Sequence, residues 1–322
     1  MTIDVSVIPV QRQATLAVPA SCAGVALHDG RHVRVVLKPA PTGTGIVFVR
    51  TDISDRENDI RVRADAVTDV KRCTTISNYA GVTVSTIEHL MAALSACGVD
   101  NLYIEIDGPE LPALDGSSEQ FLQIIDTAGL VSQSAPRRYI KVLKSVEVHV
   151  GAAYARIDPH HNLHLDVTID FEEKAIGRQR IEIEPDVKAF RSRLASARTF
   201  ARSHEVAALL EAGLSLGGSY DNAIVVDGDN VLNPDGLRYR DEFVRHKALD
   251  LLGDMYVGGP LLGRVTTVRA GHALNHQLLL ALFADPKAWK FTHIASQEAL
   301  TESMTNSVPI GVSTLEETVS AL

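Results

Sequence analysis

Alternation of apolar and polar positions dominates the first third of the chain. His32-Val33-Arg34-Val35-Val36-Leu37, Gly45-Ile46-Val47-Phe48-Val49-Arg50 and Val99-Asp100-Asn101-Leu102-Tyr103-Ile104-Glu105-Ile106 place apolar side chains at every second position, as half-buried strands do. Between the last two, residues 86–97 change to a helical period, with Ile87, Leu90, Met91 and Leu94 on a single stripe. A second helix is expected over about 120–128, after the turn Leu114-Asp115-Gly116-Ser117-Ser118. Residues 132–138 are polar and contain Pro136, so they read as a linker.

The second half repeats this theme. Strands are expected over 139–150, 153–157 and 163–171, a helix over 204–213, a strand over 222–226, a long helix from about 241, and a last helix over 275–283. Strands followed by helices, twice over, predict an α+β protein of two similarly built domains. The boundaries are 1–131 for the first and 139–288 for the second, with a tail over 289–322.

The long helix carries the most informative chemistry. His246 and Asp250 stand four residues apart, which brings both side chains onto one helical face. An imidazole nitrogen and a carboxylate oxygen so placed can hold one Zn²⁺, and a catalytic zinc takes three protein ligands with one position open. His89, directly after Glu88 in the first helix, is a natural third ligand. Ligands drawn from both halves put the site in the cleft between domains. Taken alone, an i,i+4 His/Asp pair is more often a surface pair.

Other candidates have two readings each. Glu88 is either a general base or the closing residue of a Ser85-Thr86-Ile87-Glu88 capping box. His272, after Gly271, is by itself a helix-entry histidine. His160, His161 and His164 form the densest histidine cluster and a rival metal site, although no carboxylate stands at helical spacing. The stripe Val206, Leu209, Leu210, Leu214 is either ordinary core or an apolar groove. No Walker loop, Rossmann glycine motif or HExxH occurs.

Composition narrows the class. The chain has 322 residues, 45% of them hydrophobic, and a formal net charge of −9, with mean hydropathy +0.06. That describes an ordinary globular protein of about two domains. The acidic balance argues against a nucleic-acid partner, which wants a basic face. Cys22, Cys73 and Cys97 are odd in number and widely spaced, which fits a reducing compartment. Met1-Thr2-Ile3-Asp4-Val5 carries an acid where a signal peptide carries basic residues, and no apolar run reaches the roughly 18 residues of a membrane span. A cytoplasmic monomer without stable membrane insertion is expected.

Taken together, several ordered motifs resemble one family. They are Gly24-Val25-Ala26-Leu27-His28-Asp29-Gly30, Ser85-Thr86-Ile87-Glu88-His89-Leu90 and Gly108-Pro109-Glu110-Leu111-Pro112-Ala113-Leu114-Asp115-Gly116-Ser117, then Ala197-Arg198-Thr199-Phe200, Leu216-Gly217-Gly218-Ser219 and Leu232-Asn233-Pro234-Asp235-Gly236-Leu237-Arg238, then the segment 246–254 and Gly271-His272-Ala273-Leu274-Asn275. Over about residues 10–285 the chain resembles the zinc-dependent UDP-3-O-acyl-N-acetylglucosamine deacetylases, which commit a nucleotide sugar to lipid A synthesis.

The resemblance implies zinc, or Fe²⁺, on His89, His246 and Asp250. It implies Glu88 as general base, His272 as general acid oriented by Asp254, and Thr199 and Lys247 assisting at the substrate carbonyl. It also implies two βααβ-type sandwich domains, each with an insert, the second insert forming an acyl passage within about 203–233. Leu209, Leu210, Leu214, Phe200 and Lys247 then contact a UDP-linked acylated glucosamine. Departures are mild: Ala14, Ala26, Asp29 and Ile87 replace commoner residues, and His276 is an extra histidine. Two rival classes are a nucleotide-lipid binding module with a structural zinc and a zinc hydrolase of another substrate, such as a peptide deacylase.

Overall fold

The computed structural model describes residues 10–294. Six α-helices lie among them: α1 (Glu88–Cys97), α2 (Glu119–Ala128), α3 (Val187–Arg193), α4 (Ser203–Glu211), α5 (Glu242–Tyr256) and α6 (His272–Ala284). The fold is α+β. In the first half, five strands pair in the order Ala20–Val25, His32–Pro39, Leu102–Ile106, Ile46–Arg50, Asp59–Arg61. All neighbours are antiparallel except Ile46–Arg50 beside Leu102–Ile106. His32–Pro39 buries Val33, Val35 and Leu37 on one face, as its alternation predicts.

The second half builds a seven-stranded sheet of its own. Leu261–Val268 is its centre, antiparallel to Ala153–Asp158 and parallel to Leu163–Asp170 and Tyr139–Val142. Each half also carries a three-stranded sheet: Val67–Asp69, Thr75–Ser77 and Thr83–Val84 in the first, Phe200–Arg202, Ile224–Asp227 and Asn230–Val231 in the second. α2 lies against the first large sheet, and α5 and α6 against the second. α1 packs most extensively on α5, so the two helical layers meet face to face and their buried apolar residues form one continuous cluster.

That central position explains α1 and α5. Glu88 through Leu94 are all buried, and so are thirteen residues of α5. Gly253 sets how closely the helices approach, because a Cβ there would stand 2.0 Å from the Glu88 carbonyl oxygen.

Several expectations change. The supposed linker 132–138 is mostly strand: Leu130–Pro136 runs antiparallel to Arg12–Leu16, with Pro136 at its last position. The expected strand 139–150 is two strands, Tyr139–Val142 and Val146–Val150. The last helix begins three residues earlier than expected, at His272. Residues 289–292 of the supposed tail are a strand, Trp289–Thr292, antiparallel to Tyr139–Val142. Residues 295–322 of the tail lie outside the described residues.

Candidate active site and metal centre

Strand Thr83–Val84 enters α1 through a sharp turn. Thr86 has φ 59°, an uncommon conformation for a β-branched residue. Its hydroxyl donates to Glu110 Oε1 at 2.8 Å, and that buried carboxylate also accepts the His28 and Asp29 backbone N–H groups. The turn prevents the capping box. Ile87, not Ser85, is the N-cap, and Ser85 N–H donates to the Pro109 carbonyl. Freed from capping, the Glu88 carboxylate accepts the Thr74 backbone N–H at 3.0 Å and lines the cavity.

One turn of α5 presents His246 and Asp250 to His89. Asp250 Oδ1 lies 3.2 Å from His246 Nε2 and 3.5 Å from His89 Nε2. The two rings meet edge to face at 4.9 Å. Among the described residues these three alone bring ligand atoms within 4.8 Å of one another, and all three are buried. His246 Nδ1 donates to the Ala197 carbonyl at 3.1 Å, so the neutral ring keeps its lone pair on Nε2. Asp250 Oδ2 accepts from Lys247 Nζ at 2.8 Å, while its Oδ1 is buried with no hydrogen-bond partner among the described residues. A buried carboxylate oxygen is rarely left unpaired. An unpaired oxygen facing two imidazole lone pairs fits a divalent cation.

Electrostatics support that fit. Burial pushes His246 down to about 3, against the pull of Asp250, so its ring is neutral at pH 7. Burial alone would raise Asp250, but His246 and Lys247 hold it well below the usual carboxylate range. Three ligands are the open arrangement of a catalytic metal.

Two more titratable groups flank the triad. Burial raises Glu88 above the usual carboxylate range. His272 is raised to about 9: burial lowers it, and the Asp254 and Glu88 carboxylates more than reverse that. His272 Nδ1 donates to Asp254 Oδ2 at 2.9 Å, which leaves Nε2 3.8 Å from Glu88 Oε1 and 3.9 Å from Asp250 Oδ2. A carboxylate and a protonated imidazole thus stand 3.8 Å apart beside the three grouped side chains.

All of these groups except Asp254 line a cavity of about 1060 Å³. Thr199 lies on its wall, held by its N–H to the Gly116 carbonyl and its carbonyl to Ile224 N–H. Phe200 also lines it, with Lys247 Nζ 5.5 Å from the ring centroid. Further out the wall is apolar, with Val206, Leu209 and Leu210 of α4. α4 has no buried residue and Leu210 is 50% exposed, so its stripe is not core.

The model of the family described as LpxC: UDP-3-O-acyl N-acetylglycosamine deacetylase matches residues 13–284. The chain belongs to this family. A UDP-3-O-acyl-N-acetylglucosamine deacetylase of Phenylobacterium zucineum (strain HLK1) is 51% identical over 288 residues, 89% of this chain and 98% of that protein. One of the same name from Idiomarina loihiensis (strain ATCC BAA-735 / DSM 15497 / L2-TR) is 44% identical over 291 residues, covering 89% of this chain and 95% of the relative.

Not every expected residue meets the cavity. Leu214 lies past the end of α4, and the left-handed turn at Gly213 (φ 71°) takes it off the stripe. It lines an adjoining cavity of about 270 Å³ with His28, Asp69 and Glu110, and His28 lies on the wall of both. Near the turn into strand Leu163–Asp170, His160 stacks on His161 and meets His164 edge to face, with His164 3.6 Å from Glu182. They do not bring three ligand atoms together.

Sequence reasoning also missed the supports. Ser118 donates to the His89 carbonyl at 2.7 Å. The buried pair Arg198–Glu242, 2.9 Å apart, ties the segment carrying Thr199 to the start of α5. Thr74 touches both Glu88 and Asp254. No local pattern marks any of the three.

Proposed function

We propose that this protein removes the N-acetyl group from UDP-3-O-(3-hydroxyacyl)-N-acetylglucosamine, giving the free amine and acetate, the committed step of lipid A synthesis. The observation that carries the reading is the unpaired, buried Asp250 Oδ1 facing His89 and His246, with Glu88 and His272 alongside. His89, His246 and Asp250 hold the metal, which is Zn²⁺. Such an ion, when bound, acidifies water and polarises a carbonyl.

Glu88 takes the proton of the attacking water. Its raised pKa makes it a stronger base than an exposed carboxylate, and the Thr74 N–H fixes one of its oxygens. The amide nitrogen leaves poorly unless protonated. His272, held in the charged form by Asp254, supplies that proton from Nε2 and so acts as general acid. The Thr199 hydroxyl and the Lys247 ammonium stabilise negative charge developing on the carbonyl oxygen. The apolar wall of Val206, Leu209 and Leu210 receives the 3-O-acyl chain, in an insert spanning about 203–233.

Residues 1–131 and 139–288 are read as two domains, a division supported by their separate sheets. A cytoplasmic enzyme fits the free thiols of Cys22, Cys73 and Cys97, and none of the described helices is long and apolar enough to cross a membrane.

Metal analysis beside an amine-release assay on the acetylated sugar nucleotide tests the reading. His89→Ala, His246→Ala and Asp250→Ala each lose tightly bound metal and activity together. Stoichiometric zinc held at wild-type affinity by His246→Ala overturns the ligand assignment and turns attention to His160, His161 and His164.

A further inference from the structure

Thr74 is buried, 3% exposed, in the strand-edge segment before Thr75–Ser77. Its backbone N–H donates to Glu88 Oε2 at 3.0 Å, and its hydroxyl donates to Asp254 Oδ1 at 2.6 Å. Asp254 Oδ2 accepts from both His272 Nδ1 and Asn275 Nδ2 at 2.9 Å. His272 Nε2 faces Glu88 Oε1 across 3.8 Å. The four groups form a ring: Glu88, Thr74, Asp254, His272. Three of its links are hydrogen bonds, and the fourth side is the open gap where Nε2 and Oε1 meet the cavity.

The ring joins the two halves of the protein. Glu88 and Thr74 come from the first half, Asp254 and His272 from the second. Each bonded atom has a free counterpart directed at the cavity. Thr74 N–H engages Oε2 and leaves Oε1 unbonded. Asp254 engages Nδ1 and leaves Nε2 unbonded. The Thr74 hydroxyl completes three donors on Asp254, two on Oδ2 and one on Oδ1, which fixes the plane of that carboxylate and through it the ring of His272.

We infer that Thr74 is a positioning residue, whose hydroxyl and N–H together set the distance and direction between base and acid. The inference rests on the acid and base roles assigned above to His272 and Glu88. Thr74 itself touches no reacting atom. Without its hydroxyl, Asp254 keeps two donors on one oxygen and its other oxygen is buried unpaired, so the carboxylate rotates and carries His272 with it. A misplaced proton donor slows the chemical step without weakening ground-state binding.

The test compares Thr74→Val, close to threonine in shape but lacking the hydroxyl, with Thr74→Ser, which retains it. Both retain the N–H bonded to Glu88. Thr74→Val lowers kcat by roughly 10–100-fold, the scale of a lost hydrogen bond to a charged group. KM and metal content change less than about two-fold, and Thr74→Ser recovers most of the loss. In a His272→Ala background the same Thr74→Val change costs little more, because the group it positions is gone. If Thr74→Val does not fold, Thr74→Ala takes its place with the same expected outcomes.

Wild-type kcat in Thr74→Val overturns the inference. So does a Thr74→Ser variant as slow as Thr74→Val, or a full multiplicative loss in the His272→Ala background. Glu88→Gln, assayed alongside, separates the two layers. If it retains activity, the base assignment fails. If it is inactive while Thr74→Val is not, only the positioning role fails.

Discussion

Gly253→Ala is the sharpest test of how the fold makes the proposed metal site. A Cβ at this position would stand 2.0 Å from the Glu88 carbonyl oxygen, 2.8 Å from its carbonyl carbon and 3.1 Å from its Cα. These are backbone atoms of a buried helix, so no side chain can turn aside. Restoring ordinary contact at ~3.5 Å parts α1 and α5 by about 1.5 Å at that point. His89 travels with α1, whereas His246 and Asp250 stay with α5. Zinc sites hold their ligand distances to about ±0.2 Å, so a shift of this size removes His89 as an effective ligand. We expect metal affinity to fall by about 10²-fold or more, judged from the ~10–100-fold cost of disturbing outer-shell partners. Overpacking also costs about 1–3 kcal/mol, a loss of several degrees in Tm. Competition titration with a chelator measures the first effect and a thermal melt of the metal-free protein the second. Gly258→Ala is the control: its Cβ would press on the movable ends of Leu279 and Phe283 in α6, at 2.9 and 3.1 Å. It should lower Tm without changing metal affinity. Wild-type chelator resistance in Gly253→Ala refutes the reasoning, as does an equal loss in Gly258→Ala.

Four further outcomes follow from the same geometry. A substrate without its 3-O-acyl chain should lose orders of magnitude in kcat/KM, since each buried methylene is worth ~0.8 kcal/mol; equal efficiency would mean that the α4 wall binds no chain. The pH profile of kcat/KM should be bell-shaped. Activity falls as pH drops through the raised pKa of Glu88, which must be ionised, and falls again as pH rises through about 9, where His272 loses its proton. Glu88→Gln and His272→Ala should each cost ~10²–10⁴-fold in kcat with metal retained; full activity in either removes that residue from the mechanism. Arg198→Met leaves Glu242 buried beside a neutral side chain, which should destabilise the protein by about 3–5 kcal/mol; a denaturant melt unchanged in midpoint contradicts this.

The parts of this protein that local periodicity encodes were legible in its sequence. The strands His32–Pro39 and Ile46–Arg50, the helices α1 and α5, and the i,i+4 placement of His246 and Asp250 all follow from side-chain spacing along a few turns or pleats, although Ile46–Arg50 is buried on both faces where alternation predicts one. Ordered motifs from Gly24 to Asn275 identified the family, because the segments that build one site recur in the same order along such chains. The contacts between segments came only with the tertiary structure. Residues 132–138 look like a linker until Arg12–Leu16, more than a hundred residues earlier, supplies their ladder partners. Ser85-Thr86-Ile87-Glu88 has the spacing of a capping box, but a left-handed Thr86, bonded to distant Glu110, releases Glu88 to Thr74. Leu214 keeps the helical spacing of its stripe until Gly213 turns the chain away. A polar group's partner is set by whatever lies within about 3 Å of it, and in this fold that neighbour is often 14, 24 or 180 positions away in the chain. Spacing therefore determined which residues share a face, and the packing of α1 against α5 at Gly253 decided which faces meet.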